Sequence, residues 1–439
     1  MASRPGGEKS AAEELIPIRM ENAITASLIP LAAIDEAHAR IRQVVLETPC
    51  LRNHDLSERY GCDLFLKRED MQSVRSFKIR GAYNKIKGLS ETEAVNGVVC
   101  ASAGNHAQGV AFACAKLGIR GTIYMPDPTP SQKVTKVRAF GGDWVKVILS
   151  GDTFDDAYAA ALEHSAREAA SFVHPFDDKE VIAGQGTIAK EMLEQLDRPL
   201  DVLLVAVGGG GLLSGVGSYF RQLSPGTKII AVEAAGAAAL AASMEAGKRV
   251  RLDKIDAFAD GIAVKEIGLK TFPIIQEVID DHLIVPEGAI CSAILQLYNE
   301  QAIVAEPAGA AAIAALEQLA GVIRGKRVGV ILCGGNNDVH RTQEITERAM
   351  LHEGRKHFFI VRFPQRSGAL RDFLHVLGPE DDITHFEYTK KTNRASGPAL
   401  VGLELKNPDD FKPLLARMRA EGINFEHIND NPMLFEMLV

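Results

Sequence analysis

No uninterrupted apolar stretch in this chain approaches the ~18 residues that a membrane-crossing helix needs. Positive charge is not in excess either. The 49 Lys and Arg stand against 57 Asp and Glu, and a net charge of −8 gives nucleic acid or an anionic membrane no electrostatic hold. The first ten residues lack the apolar centre of a secretory signal, and Glu8, Glu13 and Glu14 run against an organelle transit peptide. A cytoplasmic protein is the expectation. The six cysteines (Cys50, Cys62, Cys100, Cys114, Cys291, Cys333) form no CxxC pair and have no companion histidines at ligand spacing. They read as reduced core thiols, as in Val98-Val99-Cys100-Ala101, with Cys333 set apart by its motif. What is present is an ordinary globular composition, 46% hydrophobic and 24% charged, in 439 residues that suit two or three domains.

Residues 1–26 read as a mobile tail and 34–46 as a helix, with Ile34, Ala37, Ile41, Val44 and Val45 on one side. From residue 63 short apolar runs alternate with longer amphipathic segments. Strands are predicted over 63–67, 97–101 and 121–125, and helices over 78–89 and 107–117. The alternation resumes with strands at 201–207, 228–233 and 327–332. Continuous Val/Ile/Leu runs separated by helices are what a parallel sheet buried on both faces requires, so the class is α/β. Ligands of such sheets bind beyond the carboxyl ends of the strands, and the loops of interest here occupy that position.

Near residue 350 the pattern changes to strand 357–363, helix 369–377, strands 382–389 and 399–405, helix 411–421 and strand 424–428. That order is β-α-β-β-α-β, the ferredoxin-like plan, and it occurs without a tandem repeat. The charged stretch 351–356 marks the junction. The predicted organisation is therefore a tail (1–26), an α/β region (27–349) and an α+β C-terminal domain (350–439).

Three local patterns carry chemistry. Gly208, Gly209, Gly210 and Gly211 let backbone N–H groups approach a phosphate, and Leu212 onward supplies a helix N-terminus that favours an anion. A dinucleotide site competes for this loop, because Glu233 ends the next strand where the ribose acid would stand. Its spacing, Gly209, Gly211, Gly215, misses GxGxxG by one residue. Lys78, in Ser76-Phe77-Lys78-Ile79-Arg80-Gly81-Ala82-Tyr83, has an aromatic wall in Phe77, close packing at Gly81, and in Ser76 either a phosphate contact or a helix cap. A partly desolvated pocket lowers a lysine pKa towards what attack on an aldehyde needs. The third is the polar turn Ser102-Ala103-Gly104-Asn105-His106-Ala107-Gln108-Gly109, whose Ser102 and backbone N–H groups can hold a carboxylate. His106 lines that loop with no chemistry assigned to its ring.

Together with Cys333-Gly334-Gly335-Asn336, Asp260-Gly261-Ile262-Ala263 and Glu306-Pro307-Ala308-Gly309-Ala310, these motifs resemble the pyridoxal-phosphate (PLP) enzymes of the tryptophan synthase β fold. Within that two-lobed fold (fold type II) they resemble the threonine/serine dehydratase branch. The tail, with Phe363-Pro364-Gln365-Arg366-Ser367-Gly368-Ala369-Leu370 and Asn429-Asp430-Asn431-Pro432, resembles the single ACT-like regulatory domain of biosynthetic threonine deaminases.

The resemblance implies that Lys78 anchors the cofactor and then moves the α-proton, and that Asn105 meets the ring oxygen. Gly208 to Gly211, with Leu212, would hold the phosphate. Ser102, Ala103, Gly104, Asn105 and His106 would clasp the substrate carboxylate, with Phe77 and Gly261 on opposite ring faces. Cys333 would face the pyridine nitrogen, a place often held by serine. A neutral group there leaves the nitrogen unprotonated and the ring a weaker electron sink, which favours prompt β-elimination. Ala103 replaces the second-face serine of related racemases and Ala239 their metal-binding aspartate, so no divalent metal is expected. Glu233 and the Ala237 carbonyl stay compatible with a monovalent cation.

The implied activity is conversion of L-threonine to 2-oxobutanoate and ammonia in isoleucine synthesis, and of L-serine to pyruvate. Isoleucine would inhibit and valine oppose it, with Arg366, Ser367 and Gly368 seating the effector in a homotetramer. The alternatives are a serine or hydroxyaspartate dehydratase or racemase of the same fold, an NAD-dependent dehydrogenase, and a non-catalytic amino-acid sensor.

Overall fold

Strands that are apolar along their whole length are buried on both faces, and they set the architecture. The computed structural model describes residues 28–389 and 395–438, so the expected tail over 1–26 lies outside the described residues. In chain order the strands are β1 (Cys50–Arg52), β2 (Asp63–Arg68), β3 (Val98–Ala101), β4 (Gly121–Met125), β5 (Val145–Leu149) and β6 (Ser171–Phe172). They continue with β7 (Val202–Ala206), β8 (Lys228–Ala234), β9 (Asp281–Val285) and β10 (Arg327–Leu332). The C-terminal strands are β11 (Lys356–Pro364), β12 (Asp382–Tyr388), β13 (Ser396–Glu404) and β14 (Asn424–His427).

A six-stranded sheet runs β1-β2-β10-β7-β8-β9, parallel except for the antiparallel edge strand β1. A four-stranded sheet, β5-β4-β3-β6, is parallel throughout. Every residue of β3 and β7 is buried, as their Val/Leu/Ala/Cys composition requires. Described residues up to Val285, together with Ala311–Asn336, form one compact unit, and Pro286–Ala310 with the described residues from Asn337 onward form a second.

The second unit contains a four-stranded antiparallel sheet in the order β12-β13-β11-β14. Helices Ala369–Leu374 and Phe411–Ala420 intervene at the expected places, which gives the β-α-β-β-α-β plan. Its core joins Phe359, Val361, Phe363, Val401, Leu403, Leu414 and Met418. A closing helix, Pro432–Leu438, was not expected; its Leu434 and Phe435 pack near Phe358 and Ile428.

The helix expected over 34–46 is instead Leu31–Ile41. Beyond it the backbone is drawn into other bonds. Leu46 N–H donates to Gln72 Oε1 (3.1 Å), the Leu46 carbonyl accepts from Gln72 Nε2 (2.7 Å), and the Thr48 carbonyl accepts from Lys67 Nζ (2.6 Å). Buried side-chain partners win over propagation of the helix.

Candidate active site

Lys78 is the first residue of helix Lys78–Lys87, and the segment before it is stitched to the end of β10. Phe77 N–H donates to the Cys333 carbonyl (3.1 Å), Ser76 bridges to Gly334, and Gly335 N–H donates to the Arg75 carbonyl (2.9 Å). Arg75 holds a left-handed φ of 59°, a strained conformation for a residue with a Cβ, at this junction. The Lys78 Nζ donates to the Pro175 carbonyl at 2.9 Å and lies 5.2 Å from the centre of the Phe77 ring.

The rest of the helix is seated by close packing and buried charge. A Cβ on Gly184 would lie 2.6 Å from Gly81 Cα, and one on Gly109 would lie 3.2 Å from the Lys78 carbonyl group. Arg80, fully buried, forks onto both oxygens of Glu69 (2.7 and 2.8 Å) and both of Glu191 (2.6 and 2.7 Å). Lys67 Nζ, also fully buried, donates to Glu191 at 2.6 Å. The lysine is thus presented by a helix that cannot easily shift.

The polar turn follows β3. Ser102 Oγ accepts from Gly104 N–H (3.2 Å), and the helix Asn105–Leu117 begins directly after it. Asn105 Oδ1 accepts from Asn336 Nδ2 (2.7 Å), so its amide nitrogen is the end that can donate. Asn336 also donates to the Val74 carbonyl (2.8 Å). His106 Nε2 donates to the Val173 carbonyl (2.8 Å), which makes Nδ1 the bare acceptor of a neutral ring. Burial, reinforced by the nearby Lys78 charge, pushes the His106 pKa down to about 3.

The glycine loop follows β7 and opens helix Gly211–Leu223. Gly210 has φ +93°, and its bare Cα is needed for that conformation. A Cβ at Gly209 would lie 2.3 Å from the Phe176 ring, and one at Gly208 2.7 Å from Ile262 Cα. The second contact brings the loop bearing Gly261 beside the glycines. Successive backbone N–H groups at a helix N-terminus form an anion seat. Leu212 is the second residue of that helix and is buried.

Sequence reasoning missed the segment 174–178, which follows β6. His174 Nδ1 accepts from the N–H groups of Phe176 (3.2 Å) and Asp177 (2.8 Å), and burial pushes its pKa down to about 4. Pro175 takes the lysine and Phe176 packs under the glycines, contacts too distant in sequence for any local signal to reveal. The sequence there, His174-Pro175-Phe176-Asp177-Asp178, carries no motif of its own.

Two alternatives resolve here. The helix-cap role for Ser76 is not realised: Phe77 is the N-cap, without a side-chain cap bond, and the buried Ser76 Oγ has no partner. Glu233 spends both oxygens on helix Ala239–Ala246, accepting from Leu240 N–H (2.7 Å) and Ala241 N–H (2.8 Å). Burial raises its pKa to about 7 despite those two bonds. A ribose-binding acid would need that carboxylate exposed and ionised, so the dinucleotide reading loses its key residue.

Cys333 is buried at the carboxyl end of β10, and all six cysteines are buried thiols. Ala103 and Gly104 lie half-buried in the turn. Among the described residues no group of three or more His, Cys, Asp or Glu is arranged to hold a metal, and no helix is long and apolar enough to cross a membrane. In the C-terminal unit, Gly368 (φ +84°) opens the short helix Ala369–Leu374, and Arg366 is engaged by Asp372 at 2.6 Å and by the Ser367 carbonyl at 3.3 Å.

A lysine amine, a buried hydroxyl without a partner and a glycine-built anion seat suit a phosphorylated aldehyde, and these residues fit PLP. Comparison with known proteins agrees. Residues 41–334 match the family described as pyridoxal-phosphate dependent enzyme, and residues 347–438 the C-terminal regulatory domain of threonine dehydratase. The class is therefore a PLP-dependent enzyme of fold type II with a C-terminal regulatory domain.

The chain is 55% identical over 424 residues to the biosynthetic L-threonine dehydratase IlvA of Bacillus subtilis, covering 96% of this chain and 100% of that protein. It is 49% identical over 411 residues to the corresponding Staphylococcus aureus protein, covering 92% and 97%. Among solved structures, the processed form of threonine deaminase isoform 2 from Solanum lycopersicum superposes with a TM-score of 0.72 at 41% identity, covering 77% of this chain and 92% of that one. Serine racemase from Dictyostelium discoideum gives 0.66 at 34%, covering 71% and 99%. The chain belongs to the biosynthetic threonine dehydratase family.

Proposed function

We propose that this protein deaminates L-threonine to 2-oxobutanoate and ammonia, the first step of isoleucine synthesis, and takes L-serine to pyruvate by the same route. The observation that carries the reading is Lys78, whose amine opens a rigidly seated helix in the same folded unit as the glycine loop. Bound PLP supplies an aldehyde that condenses with amines and a ring that accepts the electron pair left when the Cα–H bond breaks.

The chain's own residues do the rest. Lys78 anchors the cofactor at rest, yields it to the substrate amine, and takes the α-proton on Nζ. The Pro175 carbonyl, 2.9 Å away, accepts a hydrogen bond from the free Lys78 amine and would do so again whenever that amine is released from the cofactor. Gly208, Gly209, Gly210, Gly211 and Leu212 would hold the phosphate through backbone N–H groups, and the Asn105 amide nitrogen would meet the ring oxygen. Ser102 and the backbone of Ala103, Gly104, Asn105 and His106 hold the substrate carboxylate. Phe77 and Gly261 would cover the two ring faces.

Cys333, buried at the carboxyl end of β10, would face the ring nitrogen, and a group there that is not a carboxylate would leave that nitrogen unprotonated and favour early loss of the β-hydroxyl. Ala103 offers no acid on the second face, which disfavours racemisation. Neutral His106 and His174 add no cation beside Lys78.

The catalytic region spans 27–349 and the regulatory domain 350–439, in a cytoplasmic homotetramer. Isoleucine binds the regulatory domain and slows turnover, and valine opposes it. A carboxylate at Arg366, Ser367 and Gly368 would displace Asp372 from Arg366. The test is 2-oxo acid production by the purified full-length chain from threonine, serine and hydroxyaspartate, with and without isoleucine. Threonine should be the best substrate and isoleucine should slow it. Racemised serine without 2-oxo acid would reject the activity, and rates indifferent to isoleucine would reject the regulation.

A further inference from the structure

Segment 174–178 reaches the glycine loop by a second route, through the N-terminus of helix Thr271–Val278. Asp177 Oδ1 accepts from the N–H groups of Lys270 (2.7 Å) and Thr271 (3.2 Å), and Oδ2 from Leu269 N–H (3.0 Å). These donors open a helix and would otherwise lack intrahelical partners. The Thr271 hydroxyl, so placed, donates to the Gly209 carbonyl at 2.7 Å, and Gly268 N–H donates to the same oxygen at 3.2 Å.

We propose that Asp177 is a positioning residue for the phosphate seat: by clamping residues 269–271 it holds Thr271 on the Gly209 carbonyl and so aims the Gly210 N–H at the anion. The proposal rests on the reading that the glycine loop holds the cofactor phosphate. Its mechanical basis is the planar trans peptide, in which the carbonyl of one residue and the N–H of the next point in opposite directions. Fixing the Gly209 oxygen towards residues 268–271 therefore fixes the Gly210 N–H away from them.

The clamp leaves no slack. A Cβ on Gly268 would lie 2.4 Å from Asp177 Oδ1 and 2.5 Å from Thr271 Oγ1, and one on Gly210 would lie 2.8 Å from Thr271 Oγ1. Both ends of the segment are tied. Asp178 caps helix Lys179–Gln195 through Glu180 N–H (2.8 Å) and Val181 N–H (3.1 Å), and pairs with Lys85 of the lysine helix at 2.9 Å. Pro175, two residues before Asp177, holds Lys78. One short segment thus connects the amine that meets the aldehyde with the seat that meets the phosphate. A simple helix cap would stabilise its helix and stop there; this one continues through a hydroxyl into the loop.

The experiment compares PLP with pyridoxal, which lacks the phosphate, as cofactors of the full-length chain. Dissociation is followed by the cofactor's absorbance. In Asp177→Ala the dissociation constant for PLP should rise about tenfold or more, and that for pyridoxal stay within about twofold. Thr271→Val should repeat the pattern, and Thr271→Ser, which keeps the hydroxyl, should retain the native preference for PLP. Equal weakening of both cofactors, or unchanged PLP affinity, overturns the proposal. If Asp177→Ala does not fold, the two Thr271 variants decide alone. Equal affinity of the unaltered chain for PLP and pyridoxal would reject the phosphate seat itself, and the proposal with it.

Discussion

Arg80→Met should destabilise the catalytic unit strongly, and in a way that depends on pH. Arg80 is fully buried and donates to both oxygens of Glu69 and both of Glu191, at 2.6 to 2.8 Å. Lys67, 2.6 Å from Glu191, is the second cation of a cluster in which two positive groups balance two negative ones. Methionine fills a comparable volume but leaves two buried carboxylates facing one ammonium. Breaking a buried ion pair from one side costs about 3–5 kcal/mol, against a typical total stability of about 5–15 kcal/mol.

The pH dependence follows from Glu69. Burial pushes its carboxyl up, but the Arg80 charge and hydrogen bonds outweigh burial and hold it below the usual carboxylate value. A depressed carboxyl contributes stability above its unfolded pKa and loses it as pH falls through the folded value. Without Arg80, burial prevails and Glu69 takes up a proton instead. The variant's deficit should therefore shrink between about pH 8 and about pH 5. The assay is the urea midpoint, followed by cofactor absorbance and far-UV circular dichroism at both pH values. Arg80→Met/Glu69→Gln, which leaves Lys67 and Glu191 as a balanced pair, should recover much of the loss. A loss below about 1 kcal/mol, a loss independent of pH, or a double variant no better than the single one would refute the reasoning.

Lys78→Ala should abolish 2-oxo acid production with little change in melting temperature; measurable turnover in that variant would contradict the assigned role. Gly209→Ala places a Cβ against the Phe176 ring, so cofactor retention should fall, at an overpacking cost of about 1–3 kcal/mol. Adding Phe176→Leu should restore part of it, and retention unchanged in Gly209→Ala would count against the packing argument. His106 and His174 are held neutral in the fold, at about 3 and about 4, while the unfolded chain protonates them near its ordinary value. Their contribution is present at neutral pH and is lost as pH falls below about 6.5, at about 1.4 kcal/mol per unit of pH per group. Thermal melts should show that decline, and His106→Gln should flatten it; an unchanged slope would refute it.

The parts legible in the sequence were those that local pattern controls. Strands β3, β7 and β10 read as unbroken apolar runs because both their faces are covered, and the C-terminal β-α-β-β-α-β order showed through its change of period. The lysine, polar turn and glycine loop were visible because glycine and polar residues interrupt those runs at strand ends. Contacts between distant residues were not legible. Nothing near Pro175 announces that its carbonyl meets Lys78, and nothing near Asn336 announces Asn105. Glu233 looked like a ribose ligand because its position along β8 is right; only the fold shows both oxygens turned to a helix start. The helix predicted to reach residue 46 ends at Ile41 because Gln72 and Lys67, side chains from β2 and the turn after it, take hold of the backbone at Leu46 and Thr48.

The most direct test of the central claim is borohydride reduction of the purified protein, followed by mass spectrometry of its peptides. The account predicts a pyridoxyl group on Lys78. A label on another lysine, or no label on a protein that still deaminates threonine, would contradict it.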